Sequence, residues 1–154
     1  MLIGKLPYRS DLLRGLNKVA AAQGIKAGVV QVMGSLSRAR LSFYDQAIRA
    51  YRELDFDAPH EIVSGSGNIS LKAGDSGPLV HLHLSVADAE GRVVGGHCLA
   101  GCTVFAAEFV IWPFNGAPMQ RVLDHATGLH LWEEPLYSDE QREGPVRPGL
   151  DSAD

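Results

Sequence analysis

Excess positive charge is what this sequence most clearly lacks. Its 14 lysines and arginines are outnumbered by 18 aspartates and glutamates, for a net charge of −4, and the basic residues form no cluster. Duplex binding leaves a basic footprint, so non-specific nucleic-acid binding is not expected. Long hydrophobic runs are also missing. No stretch approaches the roughly 20 apolar residues that a membrane helix needs, and no membrane partner is expected. The opening Met1-Leu2-Ile3-Gly4-Lys5-Leu6-Pro7 lacks a basic region, an apolar run and a small-residue cleavage site in succession. The expectation is a cytoplasmic protein.

Cysteine is confined to Cys98 and Cys102, on either side of a Gly101 turn. In a cytosolic chain they read as two small buried hydrophobes. As thiolate ligands beside His97 their spacing does not match a zinc knuckle. The Gly65-Ser66-Gly67 segment lacks the lysine and following helix of a phosphate loop, and reads as a β-turn. A Gly-x-Ser-x-Gly elbow is absent as well, which leaves serine hydrolase chemistry without support.

What is present suits one globular domain, at 154 residues with 45% hydrophobic content. Apolar residues at 12, 13, 16, 19 and 20, after Ser10 or Asp11 and before Gly24, predict a core-packing helix reaching Gln23. Beyond Ile25 the chain turns β-rich. Segments 28–33, 39–44 and 49–56 read as strands, with Gly34-Ser35-Leu36-Ser37 between the first two. Segments 60–64 and 68–71 flank the glycine turn. Residues 102–112 are apolar on both faces and predict a central, covered strand ended by Pro113. Leu129 to Trp132 adds a short final strand. From Ser138 the chain offers little to bury, and a flexible tail over 138–154 is expected.

Three histidines carry the chemistry. In Val80-His81-Leu82-His83-Leu84-Ser85-Val86 the imidazoles alternate with core residues, so both leave one face of a strand. Asp88-Ala89-Glu90-Gly91 suits a type I turn with a bulge glycine. If Asp88 pairs with Arg92, His83 faces His97 directly, and opposed Cβ atoms lie about 4.5–5.5 Å apart. A one-residue slip sends His97 to the other face. Neutral imidazole is the commonest metal ligand, and three of them plus an open position is an exchangeable-zinc count. Gly95 and Gly96 clear space beside His97 for a ligand or another backbone.

Glu108 is a lone carboxylate in an apolar strand and needs a partner: an arginine, backbone donors or a histidine N–H. His60-Glu61, His125 and His130 have no partner at diagnostic spacing and read as surface or strand-edge residues.

The run from Val80 to Leu99 resembles the signature of the PPC (plants and prokaryotes conserved) domain family. Asp11-Leu12-Leu13, Gly24-Ile25-Lys26-Ala27-Gly28, Gly34-Ser35-Leu36, Gly67-Asn68-Ile69-Ser70 and Glu108-Phe109-Val110-Ile111 extend the likeness over residues 1–137. The resemblance implies an α+β domain: an antiparallel β-sheet or partial barrel packed with one main N-terminal helix and a short additional helix. It implies a homotrimer, and a divalent metal, zinc, held by His81, His83 and His97. Plant members bind DNA through a separate basic AT-hook, and no Arg-Gly-Arg-Pro segment occurs here.

The leading expectation is therefore a trimeric zinc-binding module whose open position takes a small ligand or partner group. A second reading is a metal-dependent hydrolase with Glu108 or Glu61 as proton carrier. A third, a DNA-associated regulator, rests on analogy with plant members alone.

Overall fold

Helix α1, Leu12–Ala22, forms where apolar periodicity and both end signals agree. Asp11 occupies the cap position and accepts a hydrogen bond from Arg14 N at 2.8 Å. Leu12, Leu16 and Ala20 are fully buried against the sheet. Each such leucine contributes about 1.5–3 kcal/mol of transfer free energy. Asn17 fixes the docking: its Nδ2 donates to Leu13 O at 2.9 Å, and its Oδ1 accepts from Val80 N at 3.0 Å. Val80 immediately precedes His81, so the helix sets the position of the histidine strand as well as covering it.

The computed structural model describes residues 1–75 and 77–134. The domain boundary at 137 and the expected tail from Ser138 lie outside those residues. Nine strands form one sheet: β1 Leu2–Leu6, β2 Gly28–Asp45, β3 Ala50–Phe56, β4 His60–Lys72, β5 Pro78–Ala87, β6 Val93–Cys98, β7 Thr103–Pro113, β8 Gln120–Leu123 and β9 His130–Trp132. All pairings are antiparallel except β4 with β8. The order β2–β6–β5–β4 returns to β2 through a direct β2–β4 pairing, closing a ring of contacts rather than a complete barrel. The fold is α+β, strongly weighted to β, and α1 is the single helix among the described residues. The short additional helix is not among them. No described helix is long and apolar enough to cross a membrane.

Three expectations need correction. Segments 28–33 and 39–44 belong to one continuous strand, β2, whose register shifts near Gly34 and Leu36 absorb the intervening residues as bulges. Gly65-Ser66-Gly67 is not a turn but mid-strand in β4. A Cβ at Gly65 would lie 2.3 Å from Val32 Cγ1, and one at Gly67 2.1 Å from His81 O. These glycines let strands on either side close in. Finally, β7 is central, between β1 and β2, but this chain covers only one of its faces. Val104, Ala107, Phe109 and Ile111 enter the core, whereas Phe105, Glu108 and Trp112 face outward.

That outward face continues across neighbouring strands. Ile3 pairs with Val110, Val29 with Trp112, and Met33 with Glu108. Ile3 is 67% exposed, Met33 62% and Val63 58%.

Candidate metal centre

The turn between β5 and β6 fixes the site. Asp88 N donates to Arg92 O at 3.1 Å and Gly91 N to Asp88 O at 3.0 Å, while Gly91 takes φ of +76°. The Asp88 side chain accepts from Glu90 N at 3.0 Å and Arg92 N at 2.9 Å. With the turn so closed, the register reads Ala87↔Val93, Val86↔Val94, Ser85↔Gly95, Leu84↔Gly96 and His83↔His97. Val80, Leu82, Leu84 and Val86 go into the core and the histidines to the opposite face. The close approach at Gly95 and Gly96 is to backbone. Added Cβ atoms would meet Leu84 O at 2.8 Å and Ser42 O at 2.6 Å respectively.

His81, His83 and His97 come together. Their ring centroids are 5.1 Å apart for 81–83, 4.8 Å for 81–97 and 5.4 Å for 83–97. One nitrogen from each lies within 4.8 Å of the others. Burial first, then the Arg121 charge and the other two histidines, push the His81 pKa down to about 4. Burial, helped by His83 and Arg121, also lowers His97. Both rings are thus kept neutral, the form that ligates a metal. His97 Nδ1 is buried and has no hydrogen-bond partner, an unsatisfied group that metal coordination or a reoriented ring would relieve. A donor set of three imidazoles fits a borderline-soft divalent ion.

A cavity of about 280 Å³ opens beside the trio. His81, His97, Tyr51 and Arg121 line its polar end, and Leu13, Leu79, Leu129 and Leu131 its apolar walls. Arg121 is only 6% exposed. Its Nε donates to Ser70 Oγ at 2.9 Å, Nη1 to His130 O at 2.9 Å, and Nη2 to Asn68 Oδ1 at 2.8 Å. Nη2 also lies 3.0 Å from His81 Nδ1. A guanidinium can only donate, so Nδ1 is the acceptor here and the ring proton sits on Nε2. Tyr51 stacks obliquely on His97 at 5.7 Å between centroids, and burial raises its pKa.

Neither candidate proton carrier lies here. Glu108 is exposed on the outer face of β7, in a separate cavity with Gln31, Met33 and Val63. The buried, partner-requiring carboxylate inferred from the apolar strand is thus a solvated one. Glu61 is exposed on β4 and lines another cavity with Ser35, His60 and Phe105. His60, expected near the surface, is 7% exposed with Nδ1 2.9 Å from Ala58 O. His125 and His130 are exposed. Cys98 and Cys102 are fully buried with their sulfurs 3.7 Å apart, and join no metal-competent group among the described residues. Arg121, Tyr51 and Asn68 are the neighbours of the site that sequence reading missed. The one signal for Arg121 was a lone cation between Pro118-Met119-Gln120 and Val122-Leu123, with no acid between Glu108 and Asp124.

These features define a class: a β-rich domain with one described helix and a three-histidine cluster able to hold a metal ion, with no described carboxylate lining the adjoining cavity. The chain belongs to the Plants and Prokaryotes Conserved (PCC) domain family, whose model matches residues 1–115. A solved structure described as a metal-containing protein from Archaeoglobus fulgidus is similar, with a TM-score of 0.81 and 35% identity. It covers 86% of this chain and 92% of that one. A plant- and prokaryote-conserved protein from Pyrococcus horikoshii has a TM-score of 0.80 and 29% identity, covering 86% and 90%. The bifunctional protein GlmU of Synechococcus sp. (strain JA-3-3Ab) is 37% identical over 126 residues, 79% of this chain. This chain spans only 19% of that relative's length.

Proposed function

We propose that this protein is a zinc-binding module, assembled as a homotrimer, whose histidine centre takes a small ligand at a position the protein leaves open. The observation that carries the reading is the convergence of three imidazole nitrogens within 4.8 Å of one another. His81, His83 and His97 would hold the ion, and when bound it would supply a Lewis-acidic centre with a free coordination position. The fold holds these residues in place. Asn17 anchors the start of β5, and the Asp88 turn sets His97 opposite His83. The Archaeoglobus relative, described as metal-containing, supports the same assignment.

Binding is favoured over hydrolysis because no described carboxylate lines the trio's cavity, which leaves no acidic proton carrier at hand. Support for assembly comes from the outward face of β1, β2, β4 and β7. There Ile3, Val29, Met33, Val63 and Trp112 are large, apolar and exposed, a concentration that commonly marks a protein interface.

The test is elemental analysis of untagged protein after exposure to equimolar zinc and gel filtration. About one zinc per chain is expected, lost in the His81→Ala/His83→Ala double variant. Zinc far below one per chain, or retained by the double variant, refutes the metal reading. A monomer mass by light scattering refutes the trimer.

A further inference from the structure

We propose that the cavity beside the histidine trio takes a small monocarboxylate with an apolar body, its carboxylate received by Arg121. This inference rests on the metal reading of the trio and names the class of ligand.

The first premise is charge. Arg121 is buried, and its described partners are all neutral: Ser70 Oγ, His130 O, Asn68 Oδ1 and His81 Nδ1, with the Trp132 ring face 5.8 Å from the guanidinium carbon. Among the described residues, no carboxylate forms an ion pair with it. A buried cation without a counter-charge is costly. A divalent ion on three neutral imidazoles adds positive charge to the same cavity wall. An anion entering there compensates both.

The second premise is a donor count. A guanidinium has five N–H groups. The four contacts above engage four, leaving one on Nη1. The contact to His81 cannot survive coordination of that ring. If the ion takes Nδ1, the lone pair that Arg121 now uses is consumed. If it takes Nε2, the ring proton moves to Nδ1 and opposes the Nη2 hydrogen. Either way coordination deprives one Nη2 hydrogen of its acceptor, in addition to the Nη1 hydrogen that has none among the described residues. Guanidinium donors lie in one plane, a fork geometry that suits a carboxylate better than a point charge does.

The third premise is shape. The cavity, about 280 Å³, is polar at Arg121 and the histidines but walled elsewhere by Leu13, Leu79 and Leu131. Such a volume suits a ligand of only a few heavy atoms beyond its polar head. An aliphatic body against the leucines and a carboxylate at the arginine use both ends; inorganic phosphate uses one. A purely structural Arg121, bracing β8 and β9 on β4, requires no such discrimination.

The experiment is calorimetric titration of the zinc-loaded full-length chain, its zinc content measured beforehand, with 4-methylpentanoate, 4-methylpentanamide and inorganic phosphate. The acid is expected to bind at least tenfold tighter than the isosteric amide and tighter than phosphate. Arg121→Gln and Arg121→Lys are each checked for folding by circular dichroism. Arg121→Gln is expected to retain zinc and lose the acid's tenfold advantage. Should it fail to fold, Arg121→Lys, which keeps the charge without the fork, is expected to weaken acid binding about tenfold. Equal Kd for acid and amide, tighter binding of phosphate, or an undiminished preference in the folded variants overturns the inference while the measured zinc preserves the metal reading. A chain that takes up no zinc overturns both.

Discussion

Replacing Gly67 by alanine is expected to damage the metal centre without touching a ligand. The new Cβ would lie 2.1 Å from His81 O and 2.9 Å from Leu82 Cα. An unstrained carbon–oxygen approach is about 3.3 Å or more, so β5 has to retreat from β4 by about 1 Å. Every atom in the way is backbone, and no side chain can swing aside. Overpacking of this kind costs about 1–3 kcal/mol. The upper half of that range is expected, because the fully buried Leu82 moves with its strand. The displaced carbonyl belongs to His81 itself. Metal–ligand distances tolerate only about 0.2 Å, so zinc affinity should fall roughly 10- to 100-fold, the range seen when support for a ligand is lost. Urea unfolding reads the first effect and competition with a chromophoric zinc chelator the second. Gly74→Ala is the control: nothing lies within 4 Å of its Cβ, and its φ of +82° costs only local strain, about 1–2 kcal/mol, with zinc affinity intact. A Gly67→Ala protein with wild-type urea midpoint and wild-type zinc affinity would show that the β4–β5 approach does not position His81.

Asp11→Ala should cost about 1–2 kcal/mol in urea unfolding. It removes both the cap to Arg14 N and the acceptor for Gly101 N at 2.5 Å; an unchanged midpoint would contradict that dual role. In chelator, the metal-free protein should lose stability as pH falls. His81 goes from 6.5 to about 4 on folding, so the unfolded chain takes up the proton first. Stability is full above pH 6.5 and declines toward pH 4, by about 1–2 kcal/mol once the ring's partial exposure is allowed for. Equal urea midpoints at pH 7.5 and 5.0 would refute this, and His81→Gln should flatten the slope. Met33→Glu, on the outward face of β2, should leave the monomer's stability within about 0.5 kcal/mol but shift the light-scattering mass downward if copies pack there.

Local features were the legible ones. The helix carried a capping residue at Ser10 or Asp11, its apolar period and its stop within a dozen or so residues, and the structure places the cap at Asp11. The β5–β6 hairpin carried its turn chemistry and alternation together, and so placed His83 opposite His97. Gly65 and Gly67 were misread because a mid-strand glycine and a turn glycine differ only in what packs against them, and Val32 and His81 lie far off in sequence. Glu108 was misread because a strand with two apolar faces looks covered whether or not its own chain covers it. Arg121 reaches the site through the parallel β4–β8 pairing, Leu71↔Gln120 and Lys72↔Arg121. That contact spans nearly fifty residues and leaves no periodic trace.

Strand β2 runs unbroken from Gly28 to Asp45. Its first half lies between β7 and β4, carrying Val29 and Met33 outward; its second half pairs with β3 and β6, setting Ser42 across from His97. One rod of backbone therefore joins the greasy outer flank to the histidine cluster. If copies of the chain pack on that flank, as proposed above, the strand they touch is the same one that faces His97 at its other end.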